Sequence, residues 1–355
     1  LGAGAGVLTA LLFMVGVYML NRGTIDKRIQ NDRHVGTDSY KSIMRTIVMV
    51  VTPFILSTAI YNLSATVNNT VYTQIFPSLR ELDEVAVFSR WGVFSGQALT
   101  ISNIPIAFAS AMASAVIPSM AQMAAAGDMK GVKEKNTLAM KTIMLISIPC
   151  AVGLTLLGIP IVKMLFYSSE YVQGVPSHVF GGRMLMTGAA AIVFYALSNV
   201  TGGALQSIDK MRLPVIHSAV SLAIHVALVA LLLKYTEVGI YALIIGNVTF
   251  PIVVYILNLM AIKRYVPSYR QEVTKTFLAP IAASVWMGTA IALVYWLLGM
   301  FVSSNLICTL FSVGVGAFVY FMAFLILRGL TKDELLDFPM GRRLYLLARK
   351  LHVMS

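Results

Sequence analysis

Residues 276–299, TFLAPIAASVWMGTAIALVYWLLG, run for 24 positions without a charged side chain, and residues 306–327, LICTLFSVGVGAFVYFMAFLIL, do the same after a short gap. About 20 mostly apolar residues in a helix cross the hydrocarbon of a bilayer, so each stretch reads as a membrane span. Working outward, the same reading finds seven more, at 1–20, 44–75, 92–124, 138–166, 181–206, 213–233 and 238–261. The runs are continuous rather than alternating at period two, which argues against a transmembrane barrel. The expected fold is therefore all-α and polytopic, with nine transmembrane helices. The second and third runs are long enough to tilt or to extend beyond the bilayer, and Pro105 and Pro118 mark possible bends in the third.

Composition agrees. Of 355 residues 58% are hydrophobic and 12% charged, against about 25% charged in a soluble domain. That excludes an ordinary globular chain, and a disordered one needs the opposite balance. Cys150 and Cys308 both sit in apolar runs, which leaves no disulfide framework or zinc cluster. The net charge of +12 would suit nucleic acid if it were clustered. Its basic residues lie at the ends of apolar runs instead, so a nucleic-acid partner is not expected and membrane lipids are.

Those basic residues set a direction. Alternate loops carry 22 of the 27 Lys and Arg, and the opposite set holds only Arg80, Arg90, Lys163, Arg183 and Lys234. Positive-inside bias then puts the carboxy terminus in the cytoplasm and residue 1 outside, in a multi-pass plasma-membrane protein. Leu1 already lies inside an apolar run, without an initiator Met or a charged leader, so an amino-terminal part is expected to precede it. Residues 21–43 form the longest loop. In the tail, Arg342, Arg343, Arg349 and Lys350 stand beside Leu344, Leu347 and Leu351, a pattern suited to an amphipathic helix on the anionic inner leaflet.

All fifteen acidic residues fall in loops or at span edges, so no carboxylate is placed to relay an ion at mid-membrane depth. The sequence holds no HExxH, GxSxG or Walker loop, and Asp333-Glu334 reads as a helix start after Thr331 rather than a metal site. An enzyme, a metal and a cofactor are all disfavoured. Polar residues instead gather in the second and third spans. Asn62, Thr66 and Asn69, with Thr70, share a helical face, and Gln97 and Asn103 lie on the third span. Amides in lipid need partners, either in other helices or in a water-filled cavity. The plain reading is interhelical glue; the sharper one is a hydrophilic path for a polar substrate. Arg90 and Arg183, at the outer ends of spans, could contact phosphate through their forked guanidinium groups or simply snorkel to headgroups. His217 and His225 read as packing or pore-lining residues. Gly2 to Gly6, Gly202-Gly203, Gly314 and Gly316 read as close helix contacts. Asn-x-Ser/Thr matches at Asn62, Asn68, Asn199 and Asn247 fall inside spans and are not glycosylation acceptors.

Several short motifs carry a family likeness. Gly96-Gln97 and Ile104-Pro105 lead to Ala113-Ser114-Ala115-Val116-Ile117-Pro118-Ser119-Met120 and then Ala124-Ala125-Ala126-Gly127-Asp128. Ile148-Pro149, Gly153-Leu154, Pro160-Ile161, Leu165-Phe166, Gly203-Ala204-Leu205-Gln206 before Pro214, and Leu330-Thr331-Lys332-Asp333-Glu334-Leu335 continue it. On these the chain resembles the carboxy-terminal part of a polysaccharide-transporter-like member of the multidrug/oligosaccharidyl-lipid/polysaccharide flippase superfamily, in the branch similar to stage V sporulation protein B. The resemblance implies about fourteen helices in two lobes around a cavity that opens alternately to each side. Residues 1–20 would be the last helix of the amino-terminal lobe, 21–43 the inter-lobe loop, 44–327 the carboxy-terminal lobe and 328–355 a cytoplasmic amphipathic tail. The family's cavity arginines are implied for a region before Leu1 and carry over to no residue here. Where relatives often place an acidic residue near the outer end of the second span, this chain has Asn68-Asn69.

The expected function is export of a lipid-linked saccharide or cell-wall precursor by a monomeric flippase, through a path including Asn62, Thr66, Asn69, Gln97 and Asn103, with Arg90 or Arg183 as phosphate contacts. A cation-coupled drug exporter of the same superfamily and a non-transporting membrane scaffold are the alternatives.

Overall fold

The computed structural model describes residues 2–31, 39–80, 83–166, 168–266 and 269–327, nearly all of them helical. The chain divides into two compact units, Leu1–Val51 and Thr52–Ser355, and the division falls inside a helix.

The first unit holds α1 (Gly2–Asn31) and the start of α2 (Tyr40–Thr70). The expected loop at 21–43 is therefore shorter, because α1 continues for eleven residues past position 20. Its polar extension meets no proline, and Arg22 and Asp26, four apart, stand 3.8 Å from each other, an exposed pair that adds a few tenths of a kcal/mol. The end of an apolar run marks where lipid would stop, not where the helix must. Residues 32–38 and the tail at 328–355, with its expected amphipathic helix, lie outside the described residues.

In the second unit α2 runs into a π-helical turn (Val71–Ile75) and α3 (Phe76–Arg80). Asp83 caps α4 (Glu84–Val93) by accepting from the Val85 and Ala86 amides. A second π-helical turn (Phe94–Leu99) then feeds α5 (Thr100–Ala125), which passes Pro105 and Pro118 without a break. Gly127, at φ 75°, ends α5, and the Asp128 carboxylate accepts from the Gly131 amide at 2.8 Å to open α6 (Met129–Leu165). The Ala-Ala-Ala-Gly-Asp motif is thus a helix stop followed by a helix start. Helix α6 kinks at Leu157, three residues before Pro160, whose missing N–H leaves a carbonyl of the preceding turn unbonded.

A two-stranded hairpin follows, β1 (Tyr171–Val172) against β2 (Val175–Pro176), turned by Gln173 and Gly174 at φ 53° and 75°. Nothing longer than four residues announces it, and the sequence reading did not anticipate it. Helices α7 (Ser177–Gly188) and α8 (Ala190–Ser207) follow, joined at a bend of 45°. Helices α9 (Arg212–Tyr235), α10 (Tyr241–Tyr265), α11 (Ala279–Phe301, after a π-helical turn at Thr274–Leu278) and α12 (Asn305–Ile326) complete the unit.

Among the described residues seven helical stretches are long and apolar enough to cross a membrane, or eight with the bent α7–α8 pair. These match eight of the nine expected spans. The other, 44–75, is helical over Tyr40–Thr70 but is not among those stretches.

Helix α6 packs against α5, α7, α8, α11 and α12, and α8 bridges α5 and α10. Glycines allow the closest approaches. A Cβ on Gly203 would lie 3.0 Å from Ile117 Cγ1 and one on Gly316 2.5 Å from Ile291 Cγ1, whereas Gly314, and Gly4 and Gly6 in the first unit, have open space. Only part of the small-residue pattern therefore marks helix contacts.

Candidate functional site: an uncharged polar cavity

Five helices of the second unit, α2, α5, α8, α9 and α10, surround a cavity of about 430 Å³, with Trp91 and Leu99 at its edge. Its polar wall comes from different helices: Asn62, Ser64 and Asn68 from α2, Ser102, Asn103, Ser110 and Ser114 from α5, Asn199 and Gln206 from α8, and Asn247 and Asn258 from α10. Among the described residues no lining side chain is charged. The wall is thus one of amides and hydroxyls, each able to donate and accept.

Hydrogen bonds tie part of this wall to the scaffold. Asn199 Nδ2 donates to Ser110 Oγ at 2.6 Å, joining α8 to α5. Tyr195 OH donates to Asn247 Oδ1 at 2.9 Å, joining α8 to α10. Asn258 is fully buried, and its Nδ2 donates to the Ser198 carbonyl and to Thr201 Oγ1, both at 3.3 Å. That fixes its Oδ1 toward His217 Nδ1, 2.7 Å away, so the His217 proton sits on Nδ1. His225 Nε2 lies 2.8 Å from Asn68 Oδ1. Both histidines pack, and each does so by holding an amide of the cavity wall. Asn62 and Asn103 carry no side-chain hydrogen bond among the described residues, which leaves them free to meet a solute.

The expected path residues separate. Asn62 and Asn103 line the cavity. Thr66 is exposed, its hydroxyl 3.5 Å from the Asn62 carbonyl. Asn69 is exposed too and accepts from Thr73 Oγ1. On α2 the buried polar side is Ser64 and Asn68, four apart, at 4% and 5% exposure, which the expected face of 62, 66 and 69 did not single out. Gln97 sits in the second π-helical turn, and its Oε1 is so close to Gly181 that a Cβ there would fall 2.3 Å from it. It wedges between helices instead of facing the cavity. Arg90 is half-buried, and with the Gln173 amide oxygen turned toward it, its Nε and Nη2 both donate at 3.2 Å. It holds the hairpin tip. Arg183 is exposed on α7. Neither arginine lines the cavity.

Residues that sequence reasoning left out supply much of the wall. Asn199 and Asn247 were in view only as unsuitable glycosylation acceptors, and Asn258 had no signal beyond being an amide within an apolar run, itself a reason to look for a partner. Among the described residues no three His, Cys, Asp or Glu side chains converge as metal ligands.

A profile of the lipid II flippase MurJ family matches residues 4–314. The chain belongs to that family. The flippase-superfamily likeness carried by its motifs is thereby narrowed to the MurJ branch. The lipid II flippase MurJ of Bacillus subtilis is 28% identical over 203 residues, 56% of this chain and 36% of that protein. The probable lipid II flippase MurJ of Bdellovibrio bacteriovorus is 26% identical over 177 residues, 48% of this chain and 32% of that protein. The chain thus matches about a third of the length of these curated MurJ relatives. A solved lipid II flippase MurJ in an inward closed conformation has the same fold, with a TM-score of 0.59 and 16% identity over 88% of this chain and 59% of that one. This MurJ-family chain is accordingly a multi-pass helical membrane protein.

Proposed function

We propose that the chain serves a flippase that carries a lipid-linked saccharide precursor of the cell wall, of the lipid II class, across the plasma membrane by alternating access. The cavity of the second unit receives the saccharide headgroup. The observation that carries this reading is the chemistry of the wall. Amides and hydroxyls drawn from several helices, with no charge among them, suit the hydroxyl and amide groups of a sugar, each of which also donates and accepts. Such a wall does not neutralise a phosphate, so any pyrophosphate of the substrate meets its cations elsewhere. Asn62 and Asn103 are the path residues; Arg183, exposed on α7, can meet phosphate outside the cavity, whereas Arg90 is held at the hairpin tip by Gln173.

The charge division supports a cytoplasmic carboxy terminus, and the motif likeness supports α1 as the last helix of an amino-terminal lobe, with the second unit as the carboxy-terminal lobe. The protein works as a monomer, catalyses no covalent step and needs no cofactor.

Asn62→Leu and Asn103→Leu test the reading, since each removes hydrogen bonding from a side chain without a protein partner. Complementation of a flippase-depleted strain is expected to fall at least tenfold while the melting temperature in detergent stays within about 2 °C of wild type. Unchanged complementation with a clearly lowered melting point would return both residues to a packing role.

A further inference from the structure

His225 stands mid-way along α9 at 1% exposure. Its Nε2–H donates to Asn68 Oδ1 on α2, and its ring meets Phe250 of α10 edge-on, with centroids 6.1 Å apart. Its other nitrogen, Nδ1, has no side-chain partner, and the polar group on that side of the ring is the backbone of Gly246. That side of the ring presses on Gly246 of α10, where a Cβ would lie 2.9 Å from Nδ1 and 2.7 Å from Cε1. One imidazole therefore joins three helices with a single side-chain hydrogen bond. Its partner in that bond, Asn68, also lines the cavity.

The surroundings hold no counter-charge. Helix α2 presents Asn68, and α10 presents Gly246 and Phe250. The ionisable group nearest on α8 is Tyr195, beyond the Phe250 ring at 6.3 Å and bonded to Asn247. On α9 itself His217 is eight residues before and Lys234 nine residues on, about 12 Å and about 14 Å along the axis at 1.5 Å per residue, and the charged residue of α3 is Arg80.

We propose that His225 is a proton-binding site that couples protonation to the packing of α9 against α10 beside the cavity. The neutral ring, with its one proton on Nε2, fits the observed packing. A second proton would put a charged N–H at Nδ1, where the interface offers the Gly246 backbone but no side-chain acceptor and no counter-charge, and burying a cation on those terms is costly. Water reaching Nδ1 would satisfy that proton, and water reaches it only when α9 and α10 part. Proton binding and the parted arrangement therefore favour one another, by reciprocal linkage. Because Asn68 is tied to the same ring, the movement alters the cavity wall. A proton can thus act on this unit although its spans hold no deep carboxylate.

The test uses the purified protein in lipid nanodiscs, with Cys150 and Cys308 replaced by Ser and spin labels at the exposed positions Ile224 (α9) and Ile245 (α10). Between pH 8 and pH 5 a longer-distance population should grow in pulsed electron resonance, by up to about tenfold per pH unit for a single proton. Over the same range the ¹⁵N signal of His225, assigned by its loss in His225→Gln, should pass from imidazole to imidazolium. His225→Gln cannot titrate but can still donate to Asn68, so it should keep the short distance at every pH, whereas His217→Gln should keep the transition. The proposal is overturned if the distance ignores pH, if the transition survives in His225→Gln, or if it vanishes in His217→Gln. Should His225→Gln fail to fold, the protein with His225 intact still decides. A His225 signal, assigned by removing the other four histidines, that titrates without a distance change, or a His225 ring that stays neutral to pH 4.5, overturns it equally.

Discussion

Helices α6 and α7 cross where Gly158 faces Gly182, and replacing Gly182 with Ala puts a methyl into backbone. Its Cβ would lie 2.5 Å from Ile159 Cα and 2.8 Å from Ile159 N, against the 3.4–4 Å of ordinary contact. From the other side, a Cβ on Gly158 would meet the Gly182 carbonyl at 2.9 Å and Met186 Cγ at 2.6 Å. Side chains can turn aside, but Ile159 Cα cannot, so the helices must separate by about 1 Å at the crossing. Overpacking of this kind costs about 1–3 kcal/mol. A helical Ala recovers about 1 kcal/mol over Gly, which leaves a net loss of up to about 2 kcal/mol. Gly153 on α6 is the internal control, since nothing lies within 4 Å of its added Cβ, and Gly153→Ala should be neutral or slightly stabilising. Melting in detergent, followed by fluorescence-detected size exclusion, reads both variants. The double variant Gly158→Ala/Gly182→Ala should lose less than the sum of the singles, because the first methyl already parts the helices. A Gly182→Ala protein that melts at or above wild type, or a Gly153→Ala loss of equal size, would refute the reasoning.

Two further outcomes are expected. Single cysteines at Ser303 and Ser355, in a chain without Cys150 and Cys308, should label from opposite faces of the membrane; labelling of both from outside intact cells would sink the proposed orientation. Tyr269, in the segment between α10 and α11, accepts from Asn136 Nδ2 at 3.1 Å, and burial pushes its hydroxyl up to about 12. A hydroxyl raised in the folded state from the ordinary tyrosine value of 10.0 contributes stability that is complete below that value and is lost as pH rises toward 12. Tyr269→Phe should cost about 1 kcal/mol at neutral pH through the lost hydrogen bond and flatten the alkaline decline of the melting curve. An unchanged slope between pH 10 and 12 would assign that decline to other groups.

The motif Ala124-Ala125-Ala126-Gly127-Asp128 shows how much was legible locally. A glycine free to take φ 75° stops one helix and a carboxylate caps the next, and both are properties of residues adjacent in the chain. Arg90 shows the opposite. Its position suggested a phosphate contact, yet its guanidinium is committed to Gln173 at the tip of a hairpin some eighty residues away, a partner that no local pattern names. Gln97 is similar, since only the approach of Gly181 turns it from a path residue into a wedge.

The sequence by itself determined that the chain is helical and built for a bilayer, and the approximate place of eight of its nine expected spans, because those follow from hydropathy and chain length, both additive along the chain. It also determined the absence of a deep carboxylate. Only the tertiary structure decided which amides meet. The cavity wall joins Asn68, Asn103, Asn199, Asn247 and Asn258 from four helices, and helical periodicity fixes a residue's face within its own helix but not the helix that face turns toward. That choice rests on side-chain shape at crossings such as Gly158–Gly182 and on bends such as the 45° between α7 and α8. Both are settled by packing between residues distant in the chain.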